Sequence, residues 1–268
     1  FKKTYDENIM DIKGGLNDVV MNNSPIDIDK LIEGTNEILT ANRNSLQLFD
    51  MLHSMRQFDD LTYVHSVNVA LIASILGQWL KFSEKDIRIL TISGLLHDIG
   101  KIMIPNEILT KPGKLTVAEY NIMKQHVNFG YEKVKNQNID IRIKEACLLH
   151  HEKCDGTGYP FGLKSDHIPA VAKIIAIADV YDALTSVRCY KNAYDHDTAI
   201  QMIQEGQCGQ FNPLLLECLK EISPQLSRTF KKEKDDNREY YEAQKISEEI
   251  LRQNALPRKD YSQRVIEI

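Results

Sequence analysis

Helical periodicity runs through nearly the whole chain and leaves little room for another class of fold. Between Leu61 and Leu80, apolar residues recur at 61, 64, 67 and 69, 71 and 72, 75 and 76, and 79 and 80. That spacing belongs to a helix buried on most of its circumference. The stretches ILTISGLL, IRIKEACLL and AVAKIIAIADVYDALTS read the same way. Ser83 followed by Asp86 resembles a capping box for the helix through ILTISGLL, and Gly100 reads as its stop. Thr116 and Glu119 give a T-x-x-E start for a helix expected to carry His126. Pro169 suits the start of AVAKIIAIADVYDALTS, and Asn212-Pro213 opens LLLECLKEI after a stop at Gly206. IPNEILTKPGKLT and GTGYPFGLKSD read as loops. No segment alternates as a strand, so the fold class is all-α.

The chain has 268 residues, 43% of them hydrophobic, enough for one large domain with extensions. Residues 1–57 read as a polar helical extension broken at NNSPIDID, 58–223 as the core domain, and 224–268 as a charged helix or linker. In that last segment the charges alternate in sign, which marks a solvated face. A net charge of -5 argues against a DNA or RNA polymer as partner. Five cysteines, at 147, 154, 189, 208 and 218, include no CxxC pair and imply a reducing, cytoplasmic compartment. The most apolar run, Val67 to Leu80, is interrupted by Asn68, Ser74, Gly77 and Gln78, so no membrane-spanning segment is expected. Phe1 stands where a start Met would be, and no signal peptide follows. The expectation is a piece of a longer protein.

Chemistry concentrates where imidazoles and carboxylates interrupt apolar helices. LTISGLL runs into HDIGK, with His97, Asp98 and Lys101. Adjacent residues point about 100° apart on a helix, so His97 and Asp98 can serve one metal only at a helix end. Asp98, with two oxygens, can bridge two cations. His65 and His126, each taken alone, read more simply as core histidines. Asp179 is harder to explain that way, because a buried carboxylate in KIIAIADVYDAL needs a charge or several donors. Asp182, one turn on, is a candidate to support it from behind. HHEKCDGTGYP adds His150 and His151. In that segment Glu152 and Asp155 either orient imidazoles or cap the loop, and Tyr159 offers a ring face and a hydroxyl. Together His65, His97, Asp98, His126, His150, His151 and Asp179 exceed what one zinc needs. They fit a hydrolytic site with two cations about 3.5–4 Å apart.

HDIGK resembles the HD motif of metal-dependent phosphohydrolases, and HHEKCDGTGYP resembles the motif of their HD-GYP subgroup. YVHSVNVA, IIAIADVYDALTSVRCYK and GQFNP extend the likeness over residues 58 to 222. The resemblance implies an HD-superfamily helical bundle, here with helical N- and C-terminal extensions. It implies hydrolysis of cyclic di-GMP to pGpG, in some members on to GMP, with divalent transition metals. Iron is the expected metal, with manganese and zinc as alternatives. It assigns His65, His97, Asp98, His126, His150, His151 and Asp179 as metal ligands, with Asp98 bridging. Asp98 and Lys101 carry the catalytic roles, and Lys101, Tyr159, Arg188 and Lys191 hold the dinucleotide. Some members place a Glu four residues before the first His to support a third metal. Leu61 stands there instead, so two metals are expected.

Three alternatives follow. Cyclic GMP-AMP could replace cyclic di-GMP as substrate. The GYP segment argues against a nucleotide- or alarmone-specific HD hydrolase. A non-catalytic cyclic di-GMP sensor that signals through the flanking helices is disfavoured by the complete ligand set; a homodimer through those helices is a separate expectation.

Overall fold

In the computed structural model, residues 2–40, 61–186, 194–213 and 215–217 are described. Ten α-helices account for most of these residues: α1 Lys2–Asn22, α2 Ile28–Thr40, α3 Leu61–Trp79, α4 Glu84–Leu96, α5 Asn106–Leu109, α6 Val117–Met123, α7 His126–Val134, α8 Ile141–Leu149, α9 Ala170–Thr185 and α10 His196–Gln204. Among the described residues there is no strand, only a single β-bridge between Asp155 and Lys164. The all-α class follows directly.

The long apolar periods become the centre of the bundle. Helix α3 packs along α4 and α9, while α8 packs against α4, α7 and α9. Val67, Val69 and Leu71 of α3 and Leu90 and Leu95 of α4 are wholly buried. Each such side chain contributes roughly 1.5–3 kcal/mol by leaving water. Helices α1 and α2 share this core through Ile9, Ile12, Leu16, Val19 and Leu31. A smaller cluster of Val127, Tyr131, Leu148, Leu149, Ile168 and Ala172 lies under the 150–168 loop, against Tyr159, Phe161 and Leu163.

Three local readings change. First, α4 stops at Leu96 with His97 as its C-cap, and Gly100 lies inside a 3-10 segment, Ile99–Met103. The glycine is required by packing, since a Cβ there would sit 2.0 Å from the His126 carbonyl oxygen and 2.4 Å from the Gly130 nitrogen. Second, His126 does not share the helix capped by Thr116. The Thr116–Glu119 capping box starts α6, which ends at Met123, and His126 opens α7. Its Nδ1 donates to the Met123 carbonyl at 2.7 Å, a local side-chain bond that competes with a continuous helix. Third, IPNEILTKPGKLT contains the one-turn helix α5, started by Pro105, whose fixed φ suits that position. The reading of 224–268 and most of the LLLECLKEI helix lie outside the described residues.

Candidate metal centre

Asp98 is the convergence point. It follows the C-cap of α4, and only 2% of its surface is exposed. Its Oδ2 lies 3.3 Å from His97 Nε2, 3.6 Å from His65 Nε2 and 2.5 Å from Lys101 Nζ. Its Oδ1 faces a different pair, His126 Nε2 at 3.3 Å and His150 Nε2 at 3.8 Å. Two groups of possible metal ligands result, His65–His97–Asp98 and Asp98–His126–His150–His151, with Asp98 common to both. Asp179 Oδ1 lies 3.0 Å from His65 Nε2 on the side of the first group.

The imidazoles are oriented from behind. His97 Nδ1 donates to the Gly94 carbonyl at 2.7 Å, and His150 Nδ1 to the Ala146 carbonyl at 3.0 Å. With His126 on Met123, three rings give their Nδ1 proton to a carbonyl, which can only accept. Each neutral ring therefore directs a bare Nε2 lone pair inward. His126 and His150 Nε2 face each other at 3.4 Å. The buried His97 Nε2 and Asp98 Oδ1 have no hydrogen-bond partner. Lone pairs and carboxylate oxygens gathered this closely repel one another, and divalent cations turn the repulsion into ligation. The donor set fits the metals that the sequence implies.

Electrostatics follow from burial and from Asp98. Burial drives His126 down to about 3 and lowers His150 and His151, so these rings stay neutral. Burial opposes charge on Asp98, but the neighbouring Lys101 ammonium is the main influence holding the carboxyl well below the usual carboxylate range. His65 behaves differently. Burial lowers it, but the bonds to Asp179 and Asp182 more than compensate and raise it to about 9. A proton on its Nε2 and a divalent cation are alternative occupants of the same position.

The carboxylates behind the site divide their work in ways that spacing alone did not reveal. Asp182 Oδ2 accepts from His65 Nδ1 at 2.7 Å, and its Oδ1 accepts from Asn68 at 3.1 Å. It therefore orients His65 rather than supporting Asp179. Glu152 and Asp155 both cap the loop. Glu152 accepts from the amides of Phe161 at 2.7 Å and Leu163 at 2.8 Å, and Asp155 from the Thr157 amide at 2.9 Å. Gly158 lets this loop fold onto its own start, because a Cβ would lie 2.5 Å from the His151 carbonyl oxygen. That closure stacks Tyr159 on His151, with centroids 4.7 Å apart and planes 25° apart. Asn68 was visible in the sequence only as an interruption of an apolar helix. Arg188 and Lys191 lie outside the described residues. Among the described residues, no helix is long and apolar enough to cross a membrane.

Known proteins are similar to this chain. The HD domain family model matches residues 32–214, more than half of the chain. The cyclic di-GMP phosphodiesterase response regulator RpfG of Xanthomonas campestris is 36% identical over 201 residues, 74% of this chain and 53% of that protein. A cyclic di-GMP phosphodiesterase of Pseudomonas aeruginosa is 39% identical over 160 residues, 59% of this chain and 38% of that protein. The chain thus spans about half or less of the length of these relatives. Among solved structures, an HDG"Y"P protein from Bdellovibrio bacteriovorus superposes with a TM-score of 0.66 at 18% identity, covering 84% of this chain and 72% of that one, a likeness of fold. With the HD and GYP segments brought together around Asp98, the chain belongs to the HD-GYP family of HD-domain proteins.

Proposed function

We propose that this chain is the catalytic part of a metal-dependent phosphodiesterase that opens cyclic di-GMP to pGpG. One observation carries the reading: each oxygen of Asp98 faces its own pair of histidines. Relatives named as cyclic di-GMP phosphodiesterases support the substrate. His65, His97, Asp98 and Asp179 would hold one cation, and Asp98, His126, His150 and His151 a second, with Asp98 bridging. Iron is the proposed metal, with manganese and zinc as alternatives. When bound, such cations supply Lewis acidity and offset charge on a phosphodiester.

The chain's own groups do the rest. Lys101 Nζ, 2.5 Å from Asp98 Oδ2, stands at the edge of the centre, where it would meet the departing 3′-oxygen. Burial raises the Tyr159 phenol further above its ordinary range, so it serves as a neutral donor. Arg188 and Lys191, three residues apart after α9, would grip phosphate by charge-assisted bonds. We place catalysis in residues 58–223, with 1–57 as an N-terminal extension and 224–268 as a link to further modules of a cytoplasmic signalling protein. A homodimer through the flanking helices belongs to the same reading.

A second substrate, cyclic GMP-AMP, has its own support. A 3′3′-cGAMP-specific phosphodiesterase of Vibrio cholerae is 32% identical over 221 residues, 81% of this chain and 41% of that protein. The deciding experiment supplies each dinucleotide to purified protein loaded anaerobically with Fe²⁺ or Mn²⁺ and resolves the products. Linear pGpG that disappears in Asp98→Ala is expected. Tight binding of cyclic di-GMP without any linear product would favour a sensor.

A further inference from the structure

Lys124 lies in the short break between α6 and α7, two residues before His126. Its ammonium is 5.4 Å from the centre of the Tyr120 ring and 6.0 Å from that of Tyr159. Tyr159 stacks on His151 and meets His126 edge-on, with centroids 6.4 Å apart. The cation therefore stands one aromatic ring away from the imidazole cluster. Tyr120 is 49% exposed, so this ledge opens to solvent at the edge of the site.

The two nearby lysines differ in their commitments. Lys101 is paired with Asp98. Among the described residues Lys124 forms no ion pair, and its ammonium lies near two aromatic rings. Cation–π contact steadies an ammonium but does not neutralise it. A fixed, unneutralised positive charge beside an anion-binding site is a ready partner for a second anion. A cyclic dinucleotide carries two phosphodiester anions, and only one of them can occupy the Asp98 centre during a cut.

We infer that Lys124 binds the other phosphate, the one not being cut, and so selects ligands that carry two phosphates. This rests on the dinucleotide phosphodiesterase reading above. The side chain touches substrate but no reacting atom, so its contribution belongs to binding. Charge-assisted hydrogen bonds of this kind change affinity by about tenfold or more.

The test compares wild type, Lys124→Met and Lys124→Arg as full chains loaded with Mn²⁺, by steady-state hydrolysis of cyclic di-GMP and by elemental analysis. Met keeps an unbranched stem against both rings and removes only the charge. KM should rise about tenfold or more in Lys124→Met, with kcat within about threefold and metal content unchanged. Lys124→Arg should recover most of the loss. A KM within about twofold of wild type in Lys124→Met would overturn the inference. So would parallel losses of metal and activity in both variants, which would mark a structural role. If fully loaded wild type cleaves no cyclic dinucleotide, the underlying functional reading fails first, and that failure appears before any variant is compared.

Discussion

His65 and Asp182 are 117 positions apart in sequence and 2.7 Å apart in space. Asp182 also accepts from Asn68 and, at 3.0 Å, from the Ser186 hydroxyl, so three donors hold one carboxylate in place. The consequence is a His65 ring with one rotation and one tautomer. Removing such support from behind a metal-binding histidine typically costs 10–100-fold in metal affinity. Asp182→Ala is therefore expected to lower affinity by about that factor, measured by competition with a chromophoric chelator. An unchanged affinity would show that α3 alone orients His65. This residue also shows where sequence reading stops. Asp179 was legible as a candidate ligand because a charge inside an apolar helix demands a partner, and Asp98 because it adjoins His97 at a helix end. The partner of Asp182 was not legible, because helix periodicity gives the face of a side chain and not which distant helix covers it. Glycine was legible in the same partial way: Gly100 reads as a helix stop and proves to be a packing contact with α7.

At the scale of elements, the helix ends set the site. His97 and His150 are C-caps of α4 and α8, and His126 opens α7. The start of α6 is fixed by Glu119, which receives the Lys111 ammonium at 2.6 Å and the Thr116 amide at 2.7 Å. The Lys111 bond first, and then Thr116, bring the Glu119 carboxyl down to about 2. Its folded value thus lies below the ordinary value of about 4.3. The cap is fully present above that ordinary value and is lost as pH falls through about 2. Following the Glu119 side-chain carbon by NMR from pH 6 downward should show no midpoint near pH 4. A midpoint there would mean that the capping box and its lysine do not hold in solution. The T-x-x-E spacing announced this start correctly. The end of the helix at Met123 was invisible, because the signal is a histidine side chain taking a backbone carbonyl rather than a glycine or proline.

At the scale of the molecule, five helices and one 3-10 turn meet at Asp98, and the N-terminal pair is fastened to one of them. Lys133 of α7 donates to the Val20 carbonyl at 2.8 Å, and Gln137 exchanges bonds with Ile26 and Ser24, both at 3.2 Å. The all-α class was legible because helical periods fill the sequence. The docking of α1 and α2 was not, since their polar composition hides a narrow apolar stripe at Ile9, Ile12, Leu16 and Val19. We propose that two cations, sharing Asp98, make the whole assembly a cyclic di-GMP phosphodiesterase. The most direct measurement adds Fe²⁺ stepwise and anaerobically to chelator-stripped protein and follows pGpG formation at each step. Activity is expected to climb until two equivalents are bound per chain and then level, with none in Asp98→Ala. A protein that fills with two equivalents and releases no pGpG would contradict this expectation.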